Sequence, residues 1–325
     1  MRFAFTDDQL AIRDAVREML AAECPPTAVR AAWEGHGRTV GAWAGLAEMG
    51  VLGMLVPEAA DGLGLSELDV VLVHQEAGRA ALPDPLLHAT LAAWMLGQAG
   101  DTHWLPRILD GSLTAAVGHC GRMPPADVYV MRLDDQVYAV PASAAHRREA
   151  ESVDHTRRLG LVTFNPAEAR VLDVDWDGAF DRGAVFAAAE LVGLGRRALD
   201  MAVEYAKVRE QFGKPIGTFQ AVKHRLASAL VDLAFAEPLV HRAAWCLATS
   251  DPAASVAVSM AKAKASDAAW AASKAALQVH GAIGYTTECD LHFWMKRIWA
   301  LAQTWGDPRM HRERIAHHYL EDPHA

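Results

Sequence analysis

The chain is short of positive charge and poor in cysteine. Its 325 residues include 31 Lys and Arg against 40 Asp and Glu, a formal net charge of −9. Nucleic-acid binding requires cationic side chains for the phosphates, so this balance argues against it. The cysteines form no CxxC pair and no zinc-ligand spacing. We therefore expect reduced thiols, in a reducing compartment, at Cys24, Cys120, Cys246 and Cys289.

Long apolar runs are missing as well. The N-terminal sequence MRFAFTDDQL has no apolar core of the kind found in signal peptides. No uninterrupted apolar segment approaches the roughly 18 residues that cross a bilayer. With 52% hydrophobic and 22% charged residues, the composition is that of an ordinary globular chain. We expect a cytoplasmic protein that does not bind membranes.

Common catalytic and metal-binding motifs are also missing. The sequence has no HExxH, P-loop or GxSxG segment. The one Glu-x-x-His, from Glu321 to His324, contains a proline, so we predict no metal site. Gly193-Leu194-Gly195 stands inside a helical pattern with no strand before it. This favours close helix packing over dinucleotide binding.

Helical signals dominate residues 1–117. Thr6 followed by Gln9 is a capping box, and apolar residues then recur at helical spacing. Pro25-Pro26 ends this helix, because proline has no amide proton and clashes with the preceding turn. Further helices are predicted over residues 40–49, after an N-cap at Ser66, and over residues 85–98 and 102–109.

Residues 118–178 are β-rich, with room for about five strands. Val128–Met131 and Val137–Val140 flank Asp134-Asp135, which is the pattern of a β-hairpin. Two more short strands are predicted over residues 159–164 and 170–174. The charged stretch around Arg147–Glu151 is expected to be a solvated linker.

Residues 179–325 are rich in alanine and helical. Long helical patterns cover residues 183–209, 216–248, 252–280 and 288–303, and a short one covers 308–319. Four long helices with short connections predict a four-helix bundle. The predicted fold class is therefore α+β but mostly α: an N-terminal helical domain, a small middle β domain and a C-terminal bundle.

Two segments of the bundle carry a resemblance to a known family. Arg209–Gln220, REQFGKPIGTFQ, and Gln278–Glu288, QVHGAIGYTTE, resemble two signatures of the acyl-CoA dehydrogenase family. Phe5–Gln9 and the stretch Val56–Gly64 resemble the family's N-terminal pieces. The resemblance covers nearly the whole chain in the right order, and it implies the acyl-CoA dehydrogenase fold.

The resemblance also implies contact with FAD. In the family, the matching positions hold the ADP half of FAD and reach across to the FAD of a neighbouring subunit. Arg209 suits a pyrophosphate, because a guanidinium forms paired, charge-assisted hydrogen bonds with phosphate oxygens. Gly281 lets a ligand come close, because it has no Cβ. The predicted cofactor-binding residues are Arg209, Gln211, Phe212, Gln220, Gln278 and Gly281.

The family's catalytic base has no counterpart here. Family members use a glutamate to take the α-proton of an acyl-CoA thioester while hydride passes to the flavin. Trp305 stands at the usual position of this glutamate, before Gly306, and the alternative position at Gly183-Ala184 also lacks a carboxylate. We therefore predict no catalytic residue. Asp307 and Glu288 are fallback candidates, each with a structural alternative as an N-cap or helix-start residue.

These departures favour a subunit that completes another chain's site. Residues 114–122 do not match the family loop that contacts flavin and substrate, so we do not expect the chain to hold a flavin of its own. The pattern resembles the short, degenerate subunit of α2β2 family members, several of which oxidise steroid CoA thioesters. The resemblance implies a heterotetramer with a longer catalytic paralogue, an acyl-CoA substrate, an electron-transferring flavoprotein as acceptor, and an isolated chain without activity. The alternatives are a self-sufficient homo-oligomeric dehydrogenase with a displaced base, and a non-enzymatic scaffold of the same fold.

Overall fold

The computed structural model describes residues 4–35, 39–119 and 121–321. The chain forms two compact units; two of the three divisions between them fall within helices, and the third lies between helices. The first unit comprises Met1–Val73 and Leu82–Gly183, and the second comprises His74–Ala81 and Ala184–Ala325. The described residues follow the predicted order of helices, strands and helices, which confirms the fold class. No helix among them is long and apolar enough to span a membrane.

Helices precede the first strand, as predicted. The capping box at the first helix is confirmed: Gln9 N donates to Thr6 Oγ1 (3.2 Å), and Thr6 N donates to Gln9 Oε1 (3.0 Å). The second helix, which the sequence did not predict, begins with Pro26 at its first position. Within the described part of this region the α-helices are α1 Asp7–Glu23, α2 Pro26–Glu34, α3 Val40–Glu48, α4 Glu67–Arg79, α5 Leu86–Gln98 and α6 Leu105–Leu109.

Among the described residues of the first unit seven strands follow, two more than expected. They are β1 Ala115–His119, β2 Arg122–Met123, β3 Val128–Leu133, β4 Gln136–Pro141, β5 Ala145–Glu149, β6 Gly160–Phe164 and β7 Arg170–Leu172. One sheet has the order β1-β3-β4-β7, and the other has the order β2-β6-β5. The predicted hairpin is confirmed: Leu133 pairs with Gln136, and Asp134 takes a φ of 52° in the turn.

The prediction of a solvated linker around residue 147 is wrong. Arg147 lies in β5, opposite Val162 of β6, and the two strands pair antiparallel over five residues. Strand β5 is an edge strand, and charged side chains are common on edges because they oppose pairing with other chains. Its backbone hydrogen bonds to β6 therefore decide its structure, and its charged composition does not.

The remaining helices, from Ala184 within the first of them onward, build the second unit together with residues 74–81. They are α7 Trp176–Val208, α8 Gln220–Ala248, α9 Ala254–His280, α10 Leu291–Ala302 and α11 Pro308–Ala316, with the short strands β8 Glu210–Gln211 and β9 Lys214–Pro215 between α7 and α8. Helix α7 begins earlier than the predicted start at residue 183. Cys24, Cys246 and Cys289 form no disulfide within the described residues, and Cys120 lies outside those residues.

Within the second unit, α4 and α7 cross with their backbones in close contact. A Cβ on Gly193 would lie 1.9 Å from the Gln75 carbonyl oxygen, and one on Gly78 would lie 2.1 Å from the Glu190 carbonyl oxygen. The close packing predicted for Gly193 is therefore confirmed. Beside this crossing, His74 Nδ1 lies 3.0 Å from Glu190 Oε1, and both residues are buried.

Candidate functional site

A stacked ring pair joins the helix that leads into the first signature segment to the second signature segment. The rings of Tyr205 on α7 and His280 on α9 stack with centroids 4.5 Å apart and an interplanar angle of 20°. Arg209 lies one turn after Tyr205, and Gln278 and Gly281 flank His280. Burial lowers the pKa of His280, although its Nδ1 lies 2.8 Å from the Ala276 carbonyl oxygen. The stack therefore places the C-terminal ends of α7 and α9 side by side.

Arg209 has a fixed backbone and an exposed side chain. Its N–H donates to the Tyr205 carbonyl (2.9 Å), and its carbonyl accepts from Ile216 N (2.8 Å). Within the part of the chain that the structure describes, no carboxylate pairs with its guanidinium. A free guanidinium on an anchored backbone is suited to an anionic ligand such as a pyrophosphate.

The hairpin formed by β8 and β9 presents a large apolar side chain to solvent. Phe212 and Gly213 form its turn with φ values of 55° and 76°, the left-handed conformation of a two-residue hairpin turn. The Phe212 side chain is 93% exposed. Phe219 supports it edge-to-face at 6.1 Å between ring centroids, and Lys214 Nζ lies 4.7 Å from the Phe219 centroid. The strain and exposure at Phe212 indicate a contact surface.

The other predicted residues border this region. Gln220 is the first residue of α8, and Gln278 lies two residues before the end of α9. Both residues are exposed. Gln211 is also exposed, and its Nε2 donates to the Glu210 carbonyl (2.7 Å). Gly281 has a φ of 67°, and the described residues leave open space within 4 Å of its missing Cβ.

The donor set fits the ADP half of FAD. It offers a cation for the pyrophosphate, amides for polar atoms, an aromatic face and a glycine beside open space. The Tyr205–His280 stack links the end of α7, just before Arg209, to the second signature segment. The assignment of these residues to FAD binding stays a prediction.

The turn after α10 carries Trp305, at the position where the resemblance to the family predicts the base. Trp305 and Gly306 take φ values of 57° and 86°. The fallback candidates have ordinary structural places. Asp307 is the N-cap of α11, with Oδ1 accepting from Met310 N (2.7 Å), as its structural alternative predicted. Glu288 is exposed and precedes Asp290, the N-cap of α10.

The alternative base position at the start of the bundle also holds no carboxylate, and its neighbouring arginine is engaged. Gly183 and Ala184 are both buried. Arg182 pairs with Glu67 (2.7 Å between Nη2 and Oε1), and its guanidinium lies 4.1 Å from the centroid of the Trp94 ring. Arg182 is thus fixed within the first unit by partners far away in the sequence.

Sequence reasoning missed a buried polar cluster beneath the Trp305 turn. Lys262 is fully buried, and its Nζ donates to Ser266 Oγ (3.3 Å) and to the carbonyls of Ala302 (3.0 Å) and Gly306 (2.9 Å). Burial lowers the pKa of Lys262 to about 7. The available signal was the spacing of Lys262 and Ser266, which places both on one face of α9.

Comparison with known proteins identifies the family. Residues 6–112 match the N-terminal domain of acyl-CoA dehydrogenases, and residues 176–320 match their C-terminal domain. The chain belongs to the acyl-CoA dehydrogenase family. It is 34% identical to acyl-CoA dehydrogenase IpdE2 of Mycobacterium tuberculosis over 98% of this chain and 99% of that protein. It is 33% identical to IpdE2 of Mycolicibacterium smegmatis over 95% of this chain and 98% of that protein.

Solved structures share the fold. The ChsE4-ChsE5 complex from Mycobacterium tuberculosis contains a chain with a TM-score of 0.89 and 23% identity, covering 99% of this chain and 100% of that one. A variant of the steroid acyl-CoA dehydrogenase Tcur3481-Tcur3483 gives a TM-score of 0.84 and 24% identity, covering 95% of this chain and 97% of that one.

Proposed function

We propose that this chain is a subunit of a flavin-dependent acyl-CoA dehydrogenase and completes the FAD site of a longer paralogous partner. One contrast carries the proposal. The exposed set around Arg209 fits a nucleotide, whereas the usual place of the base is occupied by Trp305, which cannot accept a proton. A chain with this combination can contribute to binding a flavin without performing the proton abstraction itself. We therefore assign no catalytic residue to it.

Arg209, Gln211, Phe212, Gln220, Gln278 and Gly281 would hold the ADP half of FAD. When bound, FAD accepts a hydride from the substrate. Arg209 would neutralise the pyrophosphate, Phe212 would provide an apolar contact, and Gly281 would allow close approach of the ligand. These residues lie at helix ends and on a hairpin tip, all exposed or bordering solvent. This accessibility supports contact with a flavin that is held largely by another subunit.

An exposed apolar face on α8 supports the proposal of a partner subunit. Its exposed residues recur at the spacing of one helix face: Ala227, Leu230, Val231, Ala234, Phe235 and Pro238. Phe235 is 66% exposed and Val231 is 53% exposed. Such a stripe is unfavourable in water, at about 25 cal/mol for each Å² of apolar surface. Another helical bundle of this family would cover it, and we propose a heterotetramer with the longer paralogue.

We propose an acyl-CoA substrate with a steroid-derived acyl group and an electron-transferring flavoprotein as acceptor. The steroid-derived acyl group is supported by the likeness to a steroid acyl-CoA dehydrogenase. The acyl-CoA substrate and the flavoprotein acceptor are what membership of the family implies. The division into a helical domain (1–117), a reduced β domain (118–178) and a four-helix bundle (179–325) also remains part of this proposal.

Flavin content tests the proposal directly. The visible absorption spectrum of the purified chain should show little flavin, and its co-expression with a longer paralogue should give a complex with about one flavin per pair. Stoichiometric flavin and acyl-CoA oxidation in the lone chain would instead establish a homo-oligomeric enzyme. A complex without flavin would establish a scaffold.

A pair of arginine variants localises the contact. Arg209→Ala should weaken flavin binding by the complex about 10- to 100-fold, the range for a hydrogen bond to a charged group. Arg309→Ala is the matched control, because Arg309 is an exposed arginine of the same unit that pairs with Glu313. Equal flavin loss in both variants would contradict a specific role for Arg209.

A further inference from the structure

The turn between α10 and α11 combines strain with unusually strong support. Trp305 has a φ of 57°, a left-handed conformation that is uncommon for any residue with a bulky side chain. Gly306 continues with a φ of 86°. A residue remains in this region only where its surroundings determine it. The support comes from two buried side chains, one on α9 and one on α11.

Lys262 provides the first support. An ammonium group has three N–H donors, and Lys262 has three acceptors: Ser266 Oγ and the carbonyls of Ala302 and Gly306. The two carbonyls mark the beginning and the end of the turn. Lys262 therefore joins both ends of the turn to α9. A neutral amine has only two N–H donors, so loss of its proton removes one of the three hydrogen bonds that Lys262 Nζ donates.

His311 provides the second support. It is fully buried, and its Nε2 lies 2.9 Å from the Trp305 carbonyl oxygen. Its Nδ1 lies 3.3 Å from Ser259 Oγ. Burial lowers the pKa of His311 to about 4, so the ring is neutral at pH 7. A proton on Nε2 lets the ring donate to Trp305 and accept from Ser259, which satisfies both nitrogens.

We propose that Lys262 and His311 are positioning residues that hold Trp305 in one conformation, and that proton release from Lys262 loosens the turn. The significance of Trp305 as the replacement for the family's base rests on the proposed function, whereas the support of the turn does not. Two buried hydrogen-bond donors thus anchor the backbone around Trp305, the residue that stands in place of a proton acceptor.

The charges around this cluster permit titration of Lys262 near neutrality. Burial lowers its pKa to about 7, and Asp307, the N-cap of α11, opposes this shift. Arg314 of α11 acts on His311 and lowers its pKa further. On the α8 side, Asp232 is engaged by Lys264 (2.7 Å). Helix α10 contributes the Ala302 carbonyl to the cluster.

Fluorine NMR of the full chain labelled with 5-fluorotryptophan tests the proposal. The chain has 10 Trp, and the resonance missing from Trp305→Phe identifies residue 305. We expect this resonance to move between pH 6 and pH 9 with a midpoint near 7, and to be insensitive to pH in Lys262→Met. The matched control is Lys264→Met, two residues along α9, which should keep the transition.

The outcomes decide the proposal. A Trp305 resonance that is constant from pH 6 to pH 9 in the wild-type chain overturns it, and so does a transition that persists in Lys262→Met. If Lys262→Met does not fold, Lys262→Arg replaces it, because arginine stays charged and should abolish the transition. The measurement uses chain without flavin, so its result is independent of the flavin assay that tests the proposed function.

Discussion

Replacing Gly193 by alanine tests the backbone contact between α4 and α7. The new Cβ would lie 1.9 Å from the Gln75 carbonyl oxygen and 2.7 Å from Arg79 N. Both are backbone atoms, so no side-chain rotation can relieve the contact. The two helices must separate by roughly 1.4 Å to reach an ordinary separation. This movement also lengthens the 3.0 Å hydrogen bond between His74 and Glu190.

The expected loss of stability follows from three contributions. Overpacking costs about 1–3 kcal/mol. A buried hydrogen bond that is broken without replacement costs about 1–3 kcal/mol more. Alanine in place of glycine stabilises the helix by about 1 kcal/mol, because alanine has the higher helix propensity. We expect Gly193→Ala to lower the free energy of unfolding by about 3 kcal/mol.

Thermal unfolding followed by circular dichroism measures this effect. A loss of about 3 kcal/mol lowers the melting temperature of a domain of this size by roughly 6–12 °C. Gly195→Ala is the control in the same helix, because its Cβ meets the movable end of Leu233 at 2.8 Å. It should change the melting temperature by no more than about 3 °C. A Gly193→Ala chain as stable as the wild type would refute the argument.

Three further perturbations have defined outcomes. Thr6→Ala removes the capping hydroxyl of α1 and should cost about 1 kcal/mol in denaturant unfolding, whereas an unchanged midpoint would show that the cap is dispensable. Acidification below pH 6.5 should lower the melting temperature, because burial holds the folded pKa of His88 at about 3 and of His311 at about 4. The unfolded chain then binds more protons, at about 1.4 kcal/mol for each unit of difference, and His311→Gln should reduce the decline seen from pH 7 to pH 4. Trp305→Glu should leave the isolated chain inactive in a dye-reduction assay with acyl-CoA, because a carboxylate alone does not supply the flavin; turnover would show that only the base was missing.

Signals contained within a few residues were predicted correctly. The capping box joins Thr6 to Gln9, three residues later in the chain, and the hairpin around Asp134 has a turn of two residues. Such contacts form between neighbours in the chain, so the sequence determines them directly. The long helices of the bundle were found for a related reason, because their periodicity extends over many turns.

Strand β5 was missed because its composition and its pairing disagree. Arg147, Arg148 and Glu149 read as part of a solvated segment, yet they lie in the edge strand of a sheet. Edge strands tolerate charged side chains, since one side of the strand faces solvent. Only the position of β6, more than ten residues later, decides that this segment is extended and hydrogen-bonded.

The candidate site shows the same division. The residues proposed for FAD are readable from two signature segments, but the stack of Tyr205, just before the first segment, on His280 of the second is visible only in the structure. Lys262 and Lys264 occupy similar surroundings in the sequence, yet one is fully buried and the other pairs with Asp232 near the surface. Helix packing distinguishes them, because two residues along a helix turn the side chain to a different face.

The sequence by itself determined the succession of helical, β and helical parts, the capping box of α1 and the family, and it predicted that Trp305 replaces the usual base. Tertiary structure alone decided that Arg182 is engaged by Glu67, that α4 meets α7 backbone to backbone, and that Lys262 lies beneath the Trp305 turn. The physical reason is separation along the chain. Local hydrogen bonds and periodicity are encoded within a few residues, whereas burial and ion pairing depend on which distant segments the fold brings into contact.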